Sequence, residues 1–281
     1  MIQDFAQQDS RIVIISRENK GLMPAYNAEK YIGKAIKSIL NQTITNFELI
    51  ITDDGSTDKT GQIIQDFAQQ DSRIVIISRE NKGLVYSLNE SIKQANGEYI
   101  ARMDADDISL ANRFECQLAV FTDADVDVCG SWISEFDADE EHLTAYRKVP
   151  EAHNEIVKFA KRRNPLNHPS VMYKKSVVQK FGSYQNIMFF EDYDFWVRLI
   201  VAGAKFYNIQ TPLVKMHAGK SQLTRRSGWK YVLAEFALQK RFLKIGFINY
   251  FEFLSNIFLR VSPRIMPKWL LGFVYKIIRR H

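Results

Sequence analysis

The stretch Tyr99-Ile-Ala-Arg-Met-Asp-Ala-Asp-Asp107 reads as a short strand that ends in carboxylates. Residues 99–103 lean apolar, Asn96-Gly97 before them stops a helix, and Asp104, Asp106 and Asp107 follow at once. Open α/β sheets bind ligands beyond the C-terminal ends of their strands. Alternate side chains of an extended segment share one side, so these acids crowd together and a cation is their natural complement. A solvated acidic turn is the bland alternative, and the spacing by itself leaves the two readings even.

The surrounding pattern decides between them. Apolar periodicity predicts a helix after Asn27, capped by that residue, with Ile32, Ala35, Ile36, Ile39 and Leu40 on one face. A strand at 47–52 runs into Asp53-Asp-Gly-Ser-Thr-Asp58, then come a helix at 59–70, a strand at 74–78 and the turn at 80–83. A helix at 84–95 leads to the acidic strand end; a helix at 110–121 and a strand at 126–133 follow. Strands alternating with helices predict a mostly parallel α/β sheet. Asp53/Asp54, the 80–83 turn and Asp104/Asp106 are then expected along one edge. Neither GxGxxG nor GxxxxGK[ST] is present, so phosphates must be held otherwise, and a divalent metal on carboxylates is one way. Residues 136–163 read as irregular. Beyond them, Glu191, Asp192 and Asp194 open a helix extending to about Ala202, and strands are expected at 205–209 and 213–216.

Composition sets the bounds. With 281 residues, 46% hydrophobic and 25% charged, the chain suits one large globular domain plus an appendage. Two cysteines make no disulfide framework and point to a reducing compartment. No signal peptide or membrane span is legible, so a cytoplasmic protein is expected. After Val214 the chain carries fourteen Lys and Arg against two Glu, leaving the front acidic and the back basic. Residues 2–22 repeat residues 64–84 without a change. That identity marks a recent duplication or an assembly error, because the repeats of a solenoid diverge in sequence.

Together, Pro24-Ala-Tyr-Asn27, Asn41-Gln-Thr43, Asp53-Asp-Gly-Ser56, Asn81-Lys-Gly83, Met103-Asp-Ala-Asp-Asp107, His168-Pro-Ser170, Glu191-Asp-Tyr-Asp194 and His217 resemble the motifs of family 2 inverting glycosyltransferases with a GT-A fold. They stand in family order across residues 23–220. The resemblance implies a catalytic domain over 23–220, with a nucleotide-sugar part at 23–107 and an acceptor part at 108–220, and a basic helical tail at 221–281. It implies transfer from a nucleotide sugar, most simply a UDP-sugar, to a saccharide or lipid-linked saccharide with inversion, assisted by Mn²⁺ or Mg²⁺. Asp106 is then the leading metal ligand, Asp104 a metal or ribose contact, and His217 a further ligand. Asp192 is the expected base, with Glu191 behind it; an aspartate at a helix start is ordinarily well ionised, which suits a base. Tyr26 and Asp54 are expected at the nucleotide base, and Lys82 and Arg102 at phosphate or ribose. His168 is expected to order its loop.

The departure lies at the start. The family's first strand runs directly into Pro-Ala-Tyr-Asn, whereas here the preceding residues copy a later turn. Ile12–Ile15 is the candidate first strand, with a longer loop before Pro24. An inactive or binding-only homologue is therefore the rival reading, ahead of a nucleotidyltransferase. The tail, at 227–281, reads as amphipathic helices broken at Pro263 and Pro267, suited to an anionic membrane surface or to packing on the catalytic domain. No motif supports nucleic-acid binding.

Overall fold

The computed structural model describes residues 19–218 and 228–265, the last five by backbone alone. Its strands are β1 (Asn19–Ala25), β2 (Phe47–Asp53), β3 (Ile74–Ser78), β4 (Tyr99–Arg102), β5 (Ile108–Ser109), β6 (Val128–Phe136), β7 (Leu143–Arg147), β8 (Met172–Lys174) and β9 (Phe206–His217). They form one sheet in the order β3-β2-β1-β4-β8-β6-β9-β5, with β7 on β6. The first four run parallel, with Ala25 opposite Asp53 and Leu22 opposite Arg102. Their C-terminal ends therefore share an edge, as the alternation predicts.

The helices are α1 (Ile32–Leu40), α2 (Thr60–Gln70), α3 (Leu84–Gln94), α4 (Arg113–Asp123), α5 (His153–Ala160), α6 (Lys175–Phe181), α7 (Glu191–Val201), α8 (Trp229–Lys244) and α9 (Tyr250–Ile265). Two buried clusters flank the sheet. One joins Ile32, Ile36 and Ile39 of α1 to Leu49 and Ile51; the other joins Leu88 and Ile92 of α3 to Ile50, Ile100 and Trp196. Alternate residues of β2 thus enter opposite layers, so its run of apolar side chains is buried on both faces.

Several expectations need correction. Ile12–Ile15 lies outside the described residues, and the first-strand position between β2 and β4 is held by Asn19–Ala25, with no longer loop before Pro24. The sequence Asn-Lys-Gly-Leu consequently occurs twice in different states. At 81–84 it is an exposed loop leading into α3; at 19–22 it is a buried strand. Neighbouring strands impose the second state. Lys20 is buried and pairs with Glu48, while neither side-chain polar atom of Asn19 finds a hydrogen-bond partner.

Asn27 does not cap α1. It sits in the left-handed region at φ 48°, and its Oδ1 accepts from the Thr57 N–H at 2.8 Å, fastening the first turn to the Asp53–Asp58 turn. Residues 136–163 contain β7 and α5, whose short lengths gave little periodicity to read. The stretch 110–112 precedes α4: β5 pairs with β9 at Ile108 and Ser109, and the Leu110 N–H then donates to the Leu213 carbonyl at 2.9 Å. The two strands expected near the end are one, β9, which bends where its register with β6 shifts at Ser131–Ile133. Helix α9 continues through Pro263 to Ile265, since a proline removes one N–H without necessarily ending a helix; Pro267 lies outside the described residues.

Candidate active site

The acidic motif is held by packing beneath it. Arg113 on α4 is fully buried and donates to the carbonyls of Arg102 (2.8 Å) and Val171 (3.2 Å), pinning the end of β4. Burial and the nearby Arg102 charge pull its guanidinium down to about 9. Asp107 is also buried, and its Oδ1 accepts from the backbone N–H of His217 at 2.8 Å. Burial, then the Asp104 and Asp106 charges, lift its carboxyl well above the ordinary range. That bond brings the end of β9 to the motif and sets the His217 ring beside it. His217 Nδ1 lies 3.5 Å from Asp106 Oδ2, and the ring packs between Tyr31 and Phe136 at centroid distances of 4.5 and 5.4 Å.

Asp104 turns toward Arg102, whose buried guanidinium engages both carboxylate oxygens. Burial lowers the Arg102 pKa more than any one neighbour raises it, but the charge and hydrogen bonds of Asp104 together with Tyr184 and Asp107 make the net shift upward. Asp106 is raised by burial and by the Asp104 charge. Mutual repulsion of this kind is what a bound cation relieves. The donors present, Asp106 with His217 and Asp104 nearby, fit one face of a hard-to-borderline divalent ion. They do not form a closed cage: among the described residues, no group of three or more His, Cys, Asp or Glu is arranged to hold a metal alone. The remaining ligands would have to come from a bound molecule or water.

Across the cleft, α7 presents Glu191 and Asp192 in its first turn. Asn164 donates to Asp192 Oδ2 at 2.6 Å. Burial raises the Asp192 pKa, and the hydrogen bonds from Asn164 and the Tyr193 N–H offset that only in part: desolvation outweighs the stabilisation of the charged form. Burial and the Asp192 charge push Glu191 up to about 7. The entry to α7 is strained. Phe189 lies in the left-handed region at φ 65° and stacks on Tyr231 of α8 at 5.1 Å. Strain of this kind persists only where the surroundings enforce it.

One cleft of about 1740 Å³ unites Arg102, Asp104, Asp106, Glu191, Asp192 and His217. His168 also lines it; its Nε2 is 3.0 Å from the Tyr184 hydroxyl, and burial pushes its pKa well below the ordinary imidazole value. Tyr26, Asp54 and Lys82 do not line this cleft. They lie further along the sheet edge, at the ends of β1, β2 and β3. Tyr26 is 53% exposed. Asp54 is buried and accepts from the backbone N–H groups of Lys82 (2.8 Å) and Gly83 (2.9 Å) while pairing with Arg79. Gly55, at φ 77°, permits this approach: a Cβ there would lie 2.7 Å from the Asn81 nitrogen. Lys82 and Arg79 both sit over the Tyr86 ring, at 4.6 and 4.7 Å. Sequence reasoning missed Arg79, Tyr86, Asn164 and Arg113. Only the tertiary fold places them, and no motif spacing announces them.

The sequence profile of Glycosyl transferase family 2 matches residues 21–188. A UDP-Gal:alpha-D-GlcNAc-diphosphoundecaprenol beta-1,3-galactosyltransferase of Escherichia coli is 34% identical over 253 residues, covering 89% of this chain and 92% of that protein. The chain is a family 2 glycosyltransferase. Its fold is GT-A-like: the Staphylococcus aureus TarS 1–349 structure in complex with UDP-GlcNAc superposes with a TM-score of 0.67 at 17% identity, over 86% of this chain and 73% of that one. The Pyrobaculum calidifontis mannosyltransferase PcManGT, in complex with GDP-Man and Mn²⁺, superposes with a TM-score of 0.65 at 16% identity, over 92% of this chain and 72% of that one. This glycosyltransferase thus shares its architecture with nucleotide-sugar enzymes and its sequence with those of bacterial surface-polysaccharide assembly.

Proposed function

We propose that this glycosyltransferase moves a sugar from a UDP-sugar to a lipid-linked saccharide by direct displacement with inversion. The observation that carries the reading is the shared cleft, in which the acidic end of β4 faces a separate, raised carboxylate on α7. A leaving nucleoside diphosphate gains charge in the transition state, and an acceptor hydroxyl loses a proton as it attacks. The two jobs need chemically distinct groups on opposite sides of the reacting carbon.

Asp106 and His217 hold the divalent cation in this reading, with Asp104 poised by Arg102 to reach the ribose or the metal through water. The imidazole nitrogen suits Mn²⁺ better than Mg²⁺. When bound, such an ion supplies Lewis-acid stabilisation of the diphosphate. Arg102 adds fixed positive charge beneath the diphosphate. Asp192 takes the acceptor proton; Asn164 orients it, and its raised pKa brings its basicity closer to the operating pH. Glu191, raised by burial and by the Asp192 charge, stands behind it. Asp54 shapes the base-binding edge by holding Lys82 and Gly83, and Tyr26 offers its exposed ring to the base. The first half of the domain, 23–107, serves the donor and 108–220 the acceptor.

Helices α8 and α9 pack one face on α7 through Tyr231, Leu238, Phe242 and Phe253. Trp229, Leu233, Phe251 and Phe258 remain exposed on them, and we assign that face to the surface of an anionic membrane carrying the acceptor. Among the described residues no helix is long and apolar enough to cross a membrane. UDP release from a panel of UDP-sugars, with and without Mn²⁺ and with a prenyl-diphosphate sugar as acceptor, tests the reading. Metal-stimulated, acceptor-dependent release is expected for one sugar. No release from any UDP-sugar under either condition would overturn it.

A further inference from the structure

The cleft extends well beyond the reacting groups, along the turn after α5 and onto α9. This arm is strongly basic, and its charges divide into two kinds. Lys161 pairs with Glu252 at 2.8 Å and Arg260 with Glu235 at 2.9 Å. The turn itself is fixed from α9: Asn256 donates to the Lys161 carbonyl and Arg260 to the Arg162 carbonyl, both at 2.7 Å. Lys158, Arg162 and Arg163 are different. All three are exposed, all line the cleft, and none of their side chains has a hydrogen bond or ion pair among the described residues. Three unpaired cations on a rigid turn form a ready anion site.

Two neighbours indicate which anion. Asn164, directly after Arg163, holds Asp192 at 2.6 Å, so the cationic turn leads straight into the residue that orients the candidate base. On the outer side, Phe251 and Leu259 of α9 line the same arm and are 80% and 60% exposed. One cleft therefore holds the candidate base, the cations and an apolar track. An acceptor hydroxyl at Asp192, phosphates at the cations and a hydrocarbon chain over α9 satisfy all three.

Resting on the proposed transfer reaction, we infer that Lys158, Arg162 and Arg163 bind the diphosphate of an acceptor saccharide linked to a polyprenyl diphosphate. The diphosphate linkage of such an acceptor must be made by a phosphosugar transferase: a polyprenyl phosphate oxygen attacks the β-phosphorus of a nucleotide sugar, and the nucleoside monophosphate leaves.

The test is a binding titration on the full chain with the donor side saturated by UDP and Mn²⁺. The probes are farnesyl diphosphate, farnesol, inorganic pyrophosphate, and phosphatidylglycerol vesicles. Wild type should bind farnesyl diphosphate more tightly than farnesol or pyrophosphate. The double variant R162Q/R163Q should weaken that binding by at least about tenfold while leaving UDP affinity and melting temperature unchanged. Unchanged farnesyl diphosphate affinity in the double variant would overturn the inference. So would a loss confined to phosphatidylglycerol vesicles, which would make the arm a general membrane contact. Failure of UDP to bind wild type would instead count against the transfer reaction itself, so the two failures are distinguishable.

Discussion

At the residue scale, each carboxylate at the site is defined by what desolvates it and what faces it. Asp192 is half-buried, raised, and oriented by Asn164. Replacing it by Asn keeps the shape and removes the proposed proton acceptor. D192N should lower kcat by about 10²–10⁴-fold with UDP affinity unchanged, measured by UDP release and by UDP titration. Glu191 supplies a pH test. Burial and Asp192 raise it to about 7, so the two acids share one region of negative charge. A like charge nearby favours the protonated form, and Asp192 carries its charge before the raised Glu191 ionises. D192N should therefore move the Glu191 carboxyl titration, followed by NMR, to lower pH; an unchanged or higher midpoint would contradict the electrostatic coupling. Asp194, in the same helical turn, has a different job. Fully buried, it pairs with Arg198 at 2.8 Å and with Arg241 of α8, clamping α7 to the C-terminal hairpin. Removing one partner of a buried pair is strongly destabilising, so D194A should cost about 3 kcal/mol in denaturant unfolding.

At the element scale, β1 is the instructive case. Its sequence copies a loop, yet it forms the centre of a parallel sheet because β2 and β4 offer their unpaired backbone groups on both sides. Tertiary context overrides local preference here, and the cost is visible in the orphaned Asn19 amide and the buried Lys20. N19V should raise stability by about 1–2 kcal/mol, seen as a higher denaturation midpoint with activity retained. The same contrast explains what was legible in advance. Helices α1 and α3 and strands β2 to β4 could be read because their apolar periods are long or their ends carry turn residues. Strand β7 and helix α5 could not: the outer strand is exposed along most of its length, and the helix is only eight residues long. At the site, Asp104, Asp106, His217, Glu191 and Asp192 were found through motifs and do meet in one cleft. Arg79, Arg113 and Asn164 were not, since a buried arginine or a loop asparagine acquires its role only when distant segments meet. The upward shift of Asp192 was not legible for the same reason, because burial is a property of the fold.

At the scale of the whole molecule, the chain joins the ends of β1 to β3, a large cleft lined by acids and bases, and an amphipathic helical hairpin in one piece. The hairpin's inner face is bound to α7 by aromatic packing and by the Asp194–Arg241 pair, while its outer face keeps large apolar side chains in solvent. Membrane docking would then present the lipid-linked acceptor from the side where the basic arm opens. F251S/F258S should reduce co-sedimentation with phosphatidylglycerol-containing liposomes severalfold, leaving transfer to a short water-soluble acceptor intact; unchanged co-sedimentation would separate the hairpin from membrane binding.

The most direct test of the account is the rate of UDP release from the accepted UDP-sugar, measured with acceptor and Mn²⁺ for wild type, D106A and D192A. Wild type should turn over, D106A should lose its response to added Mn²⁺, and D192A should be at least about 10²-fold slower at unchanged UDP affinity. Turnover untouched in both variants would contradict the division of labour between the acidic end of β4 and the start of α7.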